Sequence, residues 1–343
     1  LQKLGTRILL IAGIVAVSLG WYYRELLAYG VAQGRGQFRV LMDAQPIDYY
    51  LENPNFPDSL KTKIRLIEEV KIFAIGELGL NPSNSYSKVF DQQGKDILWN
   101  VSASDEFALE PYEWTFPIVG TVGYKGYFDR AAADSEKARL DELGYDTNIR
   151  SVGAWSTLGW FNDPIMSNML YRREGQLAEL IIHELTHGTV FVRDSLRFNE
   201  NLATFVGYIG AIHYLEKKYG KGSAQVDNYI RSEEDYRMFL AHMLRGAKQL
   251  DSLYEEISDL PIETKREIKQ EKIEEIVRTL DTVSFYQPSR FARIYRQRLP
   301  NNANLMSFLR YHSQRDLLTD QYLNNFDSNI KAYILFLKDK YGV

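Results

Sequence analysis

Residues 174–210 read EGQLAELIIHELTHGTVFVRDSLRFNENLATFVGYIG, and the division of this stretch decides the fold. Leu177, Leu180, Ile181 and Leu185 recur at helical spacing and give the opening residues a single apolar face. On that helix His183 and His187 stand four residues apart, so both imidazoles lie on the same side. Gly188 follows at once and offers the chain a way out of the helix. Residues 188–197, mixing β-branched residues, Phe and Gly, read as a turn. From Phe198 to Val206 a second helix is expected, with Asn199 a candidate cap. A helical hairpin that folds back here brings Glu200 beside the two histidines.

His183-Glu184-Leu185-Thr186-His187 has the H-E-x-x-H spacing, whose mechanics are specific. Two imidazoles one helical turn apart can share one ion. The carboxylate one residue after the first of them reaches a water held by the ion instead of the ion itself. The chain has only 5 His, so two of them falling into this pattern by chance is a rare event. A catalytic zinc takes three protein ligands and keeps a position open for water. Glu200, separated from His187 by residues 188–199, is the expected third ligand. The other reading of Glu200 is an ordinary carboxylate favoured by the dipole at a helix N-terminus. His-His-Glu ligation resembles that of gluzincin peptidases, where the third ligand is a Glu on the helix after the motif helix.

Outward from this hairpin the texture changes. After about residue 174 the chain reads almost wholly as helix. Between about 81 and 165, short stretches such as Ile97–Val101 and Phe116–Gly120 alternate with Gly, Pro, Asn and Ser, which is strand-and-turn composition. A helical patch near 130–144 interrupts them. Residues 24–80 read as helix with a break at Pro54 and Pro57, and Ser59–Leu80 carries apolar residues at helical spacing. The expected class is therefore α+β, mostly helical, with a small sheet region ahead of the motif helix. The expected division is an N-terminal segment, 1–25, and a single unit, 26–343. The single unit comprises a helical lead-in with the small sheet (26–165) and a helical half that carries the site (166–343).

At the start, Lys3 and Arg7 precede an uncharged, mostly apolar run from Ile8 to Tyr23. As a helix it spans roughly 24 Å against a hydrocarbon core of ~30 Å. It reads as a short membrane anchor or as the apolar part of a signal peptide, with the anchor preferred. The basic flank places the remainder on the periplasmic or extracytoplasmic side of a membrane. The net charge of −4 leaves no basic excess for phosphates, so nucleic acid is not an expected partner. The absence of Cys removes disulfides, thiolate metal sites, Cys nucleophiles and lipid-modified cysteines. The 13% aromatic and 45% hydrophobic content is that of a chain with a sizeable core.

Further stretches carry a family resemblance: Trp99-Asn100-Val101, Glu106–Pro111, Trp114–Pro117, Tyr124–Phe128, Ser156–Pro164, and the HELTH motif followed by FNENLATFVG. Together they resemble the bacterial putative aminopeptidase family of predicted zinc metallopeptidases, over most of the chain after the N-terminal segment. The resemblance implies a zincin-like fold, a Zn2+ cofactor and a peptide or protein substrate. It also implies hydrolysis with Glu184 as general base. Relatives often carry a lipid-anchored cysteine, which this chain lacks. The Asn301-Asn302-Ala303 stretch followed by Tyr311 implies Tyr311 as stabiliser of the oxyanion, with Tyr208, His213 and Tyr236 as rivals. Residues 156–160 are expected either to form an edge strand that pairs with the peptide or to be a structural turn. Glu106 and Glu110 are candidates for holding a substrate ammonium. The alternatives are an endopeptidase of envelope quality control and a membrane-tethered protein that keeps the fold for binding without cleaving.

Overall fold

The computed structural model describes residue 18 and residues 21–116, 120–153, 162–193, 195–291, 294–295, 297–309 and 315–341. Most of the apolar run expected as an anchor, the edge segment at 156–160, and Tyr311 lie outside these residues. Among the described residues, no helix is long and apolar enough to cross a membrane. The chain divides into two compact units, the first ending at Ala44 and the second running Gln45–Val343. The first unit includes the helix α1 (Arg24–Asp43), with Leu27, Val31, Phe38 and Met42 exposed along it.

The second unit begins with a two-residue strand, β1 (Gln45–Pro46), a short helix, α2 (Ile47–Glu52), and α3 (Asp58–Phe73). Pro54 and Pro57 fall between α2 and α3, where the sequence predicts a break. α3 runs into a π-turn, Ala74–Leu78, ended by Gly79 at φ 81°, a left-handed position suited to glycine. The strands follow: β2 (Lys88–Phe90), β3 (Trp99–Ser104), β4 (Trp114–Phe116), β5 (Gly120–Val122) and β6 (Lys125–Tyr127). Next come α4 (Arg130–Glu142), β7 (Asp146–Ser151) and β8 (Ile165–Met166). The expected strand region is therefore three small sheets. β3 lies between β6 and β7, antiparallel to both, with Trp99 opposite Tyr127 and Ser151. β4 and β5 form a hairpin. β2 pairs antiparallel with β1 and parallel with β8, Val89 opposite Ile165.

α4 fills the expected helical patch. Asp129 accepts a hydrogen bond from the Ala132 amide at its N-terminus, and Ala133 and Leu140 are fully buried where it packs on β3 and β7. After β8 a 3-10 turn (Ser167–Tyr171) leads to α5 (Glu174–His187) and α6 (Leu196–Tyr219). The helical half is completed by α7 (Ala224–Glu256), α8 (Ile262–Thr279), α9 (Pro288–Phe291), α10 (Asn302–Leu309), α11 (Arg315–Phe326) and α12 (Ile330–Tyr341). Leu177, Ala178, Ile181 and Ile182 of α5 are fully buried, as are Ile64, Ile67 and Val70 of α3, which packs against it. A second core joins α7 to α8 and α10 through Met243, Leu250, Ile273, Ile276 and Leu305.

Two motifs of the family resemblance meet at a structural joint. Asn302, fully buried at the start of α10, donates to the carbonyls of Asp105 and Glu106 and accepts from the Tyr254 hydroxyl at 2.7 Å. Its amide donates to Asp146, which also accepts from Lys269 at 2.7 Å. The Asn-Asn-Ala stretch thus ties the β3–β4 connection to α7 and α8.

Candidate metal centre

α6 presents glycine where it packs against α5, at positions with no room for a side chain. A Cβ added to Gly207 would lie 2.8 Å from the Glu179 carbonyl and 3.2 Å from the Cβ of His183. One added to Gly210 would lie 2.8 Å from Leu78 and 3.0 Å from Ile182. At the other end of α6, Lys218 bonds Glu69 of α3 at 2.8 Å and pairs with Glu174 of α5 at 3.0 Å, so three helices are fixed together.

The turn between α5 and α6 is held by side chains. Thr189 donates to the Leu185 carbonyl at 2.8 Å and accepts from the Asn81 amide at 3.0 Å, which closes the end of α5. Gly188 sits at φ −78°, so the chain leaves the helix without any left-handed residue there. Asn199 does not cap α6, which begins earlier, at Leu196. Its side chain is buried and bridges back to Val192, accepting from the amide and donating to the carbonyl, each at 2.8 Å. This clamp stands directly before Glu200. The polar side chain that local rules assign to a helix N-terminus is taken by the loop instead.

The hairpin brings His183, His187 and Glu200 together. With one ligand atom taken from each, these atoms all lie within 4.8 Å of one another. The two imidazole Nε2 atoms are 3.2 Å apart. Glu200 lies 3.4 Å from Nε2 of His187 through Oε1 and 3.6 Å from Nε2 of His183 through Oε2. A tetrahedral zinc with bonds of about 2.05 Å separates its ligand atoms by about 3.3 Å. The two Glu200 contacts fall on different carboxylate oxygens, and two imidazoles and a carboxylate gathered in this way have the donor chemistry of a three-ligand zinc site.

Electrostatics in the triad are strongly coupled. Burial lowers the proton affinity of His187 to a pKa of about 4, and the charge of His183 adds to the effect against the pull of Glu200. Burial also opposes the charged form of His183, but its close contact with Glu200 and the charges of Glu184, Glu200 and Glu179 prevail and raise it. Burial would raise Glu200, yet the close contact with His183 and the two imidazole charges bring it below the usual carboxylate range. A divalent ion would meet a carboxylate already ionised and one imidazole already neutral.

Two cavities flank the triad. On one side Glu184 lines a space of about 250 Å³ with the 81–86 segment, Asn162 and Asp163. Tyr86 in that wall is buried and holds φ 64°, an uncommon conformation for a bulky residue, and its amide donates to the Asp163 carbonyl at 2.7 Å. Burial, then the charges of Glu184 and Asp163, push its phenol well above the ordinary tyrosine value, so it stays protonated. On the other side His183 lines a space of about 300 Å³ with Glu179, Thr204, Glu233, Tyr236 and Arg290 among its walls.

The remaining sequence candidates separate accordingly. Tyr236 reaches the cavity of His183. His213 stands 13 residues beyond Glu200 on the same helix, about 20 Å along its axis, beside Glu216 and Lys221. Tyr208 packs on Tyr229. Arg266 binds the Glu106 carboxylate at 2.7 Å, and neither Glu106 nor Glu110 lines either flanking cavity. Glu179, Glu233 and Tyr86 do not stand out in the sequence. Only Glu179 carries a signal there, its place one helical turn before His183.

Over residues 28–338 the chain matches the model of the family described as putative aminopeptidase, and it belongs to that family. No curated protein and no solved structure matches it.

Proposed function

We propose, from membership of that family and from the triad, that the chain is a zinc-dependent metallopeptidase with a zincin-like site. His183, His187 and Glu200 are its ligands and Glu184 its general base. The observation that carries this reading is the convergence of two imidazole Nε2 atoms 3.2 Å apart with a carboxylate whose two oxygens lie 3.4 and 3.6 Å from them. The separation of the two imidazoles is close to the ~3.3 Å by which a tetrahedral zinc spaces its ligand atoms.

Zinc, when bound, supplies Lewis-acid polarisation of the scissile carbonyl and brings the pKa of a coordinated water towards neutral. The protein does the rest. Glu184, one residue from His183 and bordering the open cavity, accepts the proton of the attacking water and returns it to the leaving amine. His187, 4% exposed, and the apolar face of α5 beneath it limit access of bulk water from behind. Asn199 and Thr189 hold the turn that sets Glu200 against the histidines. Tyr236 borders the cavity on the His183 side and is the candidate donor to a developing oxyanion among the described residues, the role the family resemblance implies for Tyr311. Burial and then the charge of Glu233 raise its pKa, which keeps the phenol a donor at neutral pH.

Chelation tests this reading. Peptide hydrolysis by the purified chain is expected to cease on prolonged dialysis against a chelator and to return with one equivalent of zinc. Hydrolysis that survives complete removal of metal would refute it.

A further inference from the structure

A peptidase that removes the first residue of a peptide must recognise an ammonium very close to its metal. The α-nitrogen and the scissile carbonyl carbon share one Cα, so they are only about 2.5 Å apart. A carboxylate that binds this ammonium must therefore stand within one residue's reach of the ion. Glu179 meets this condition. It lies four residues before His183 on α5, a spacing that places the two Cβ atoms about 5–6 Å apart on one face. The contact at Gly207 reports the same proximity, since an added Cβ would touch Glu179 and His183 together.

Glu179 is also set in place. The Tyr229 hydroxyl of α7 donates to its Oε2 at 2.9 Å. Burial, followed by the negative charges of Glu179 and Glu233, pushes the Tyr229 phenol well above its ordinary value, so both carboxylates lie near one group. Both then line the same cavity of about 300 Å³ as His183. That volume is at the lower end of the ~300–1,000 Å³ of small-ligand sites, which suits one residue better than an extended chain. Arg172 and Arg290 share the lining. Arg290 is tied to α7 through the Ser232 carbonyl and hydroxyl.

We propose, resting on the metallopeptidase reading, that the cavity beside His183 is the amino-terminal subsite, with Glu179 and Glu233 receiving the free α-ammonium of the substrate's first residue. The chain then trims residues from free amino termini. An acylated or internal nitrogen brings no charge to the two carboxylates and is rejected by the lost charge-assisted bond, about 10- to 100-fold in affinity.

The test uses the full zinc-loaded chain carrying Glu184→Gln, so that ligands persist, and titrates it calorimetrically with trialanine, N-acetyl-trialanine and trialanine amide. Acetylation is expected to weaken binding about 10- to 100-fold, while amidation changes it less than about threefold. Adding Glu179→Gln should bring the free and acetylated peptides to nearly equal affinity at unchanged zinc content. Glu233→Gln serves the same purpose if the first double variant does not fold. Equal binding of free and acetylated peptide, an undiminished ratio in the double variant, or loss of binding on amidation instead of acetylation would each overturn the proposal. Zinc analysis of the same sample keeps the two readings apart. Zinc bound without amine preference sinks the subsite alone, whereas amine preference without zinc sinks the metallopeptidase reading and leaves the subsite.

Discussion

Replacing Gly207 by alanine sets two well-measured effects against each other. In a helix interior alanine is favoured over glycine by about 1 kcal/mol, so intrinsic propensity predicts stabilisation. The new methyl, however, would lie 2.8 Å from the Glu179 carbonyl, 3.2 Å from the Cβ of His183 and 3.4 Å from Cγ of Glu179. A backbone carbonyl cannot swing aside, so the α5–α6 pair must separate by several tenths of an ångström. Overpacking of this kind costs about 1–3 kcal/mol. The net expectation is a loss of about 1 kcal/mol and, at about 2 °C per kcal/mol for a chain of this size, a small drop in Tm. The larger effect falls on the metal. Ligand distances tolerate about ±0.2 Å, and Glu200 sits on the helix that moves, so zinc affinity should fall about 10-fold. Thermal melting of the metal-free chain and competition with a chromophoric chelator measure the two quantities. Gly76, where an added Cβ meets nothing within 4 Å, provides the control: Gly76→Ala should leave both unchanged or raise Tm slightly. A Tm increase in Gly207→Ala with unchanged zinc affinity would refute the reasoning that glycine sets this helix spacing.

Asn199→Ala removes both bonds to Val192, and zinc affinity should drop about 10- to 100-fold, as for other groups that orient a ligand, read by the same competition assay. Asn302→Ala leaves the buried Tyr254 hydroxyl and several carbonyls without their partner. It should lower stability by about 2–4 kcal/mol in urea unfolding while the zinc content per folded molecule stays the same. Because imidazole must be neutral to bind a metal and the proton affinity of His183 is raised, protonation of His183 competes first, and zinc should be released as pH falls from neutral into the acid range and rebound on return to neutral. Retention of all metal at pH 4 would place the ion on other ligands.

The molecule is legible in its sequence where short-range spacing carries the chemistry. His183, Glu184 and His187 occupy one turn of a helix whose apolar face is plain in residues 177–185. The patch at residues 130–144 is a helix as expected, because alanine and charged residues leave no competing pattern. Asn199 departs from expectation for a physical reason. Cap preference is a local rule, but the Val192 backbone groups need partners and take the same side chain. β1 leaves no trace in the sequence because two residues hold no periodicity, and its strand exists only through pairing with Val89 and Lys88. The carboxylates beside His183 are hidden for another reason. Glu179 and Glu233 belong to α5 and α7, and nothing in sequence spacing shows that separate helices share one cavity. The Asn-Asn-Ala and Glu106–Pro111 stretches stand out equally as motifs, yet in the fold they bind each other and not the site.

Zinc stoichiometry and peptide hydrolysis measured side by side for the native chain and Glu184→Gln bear most directly on the metallopeptidase claim. One zinc per chain is predicted in both, with a fall in hydrolysis of about 10²- to 10⁴-fold in the variant, the share of a general base. Absence of stoichiometric zinc, or equal hydrolysis by the two proteins, would contradict it.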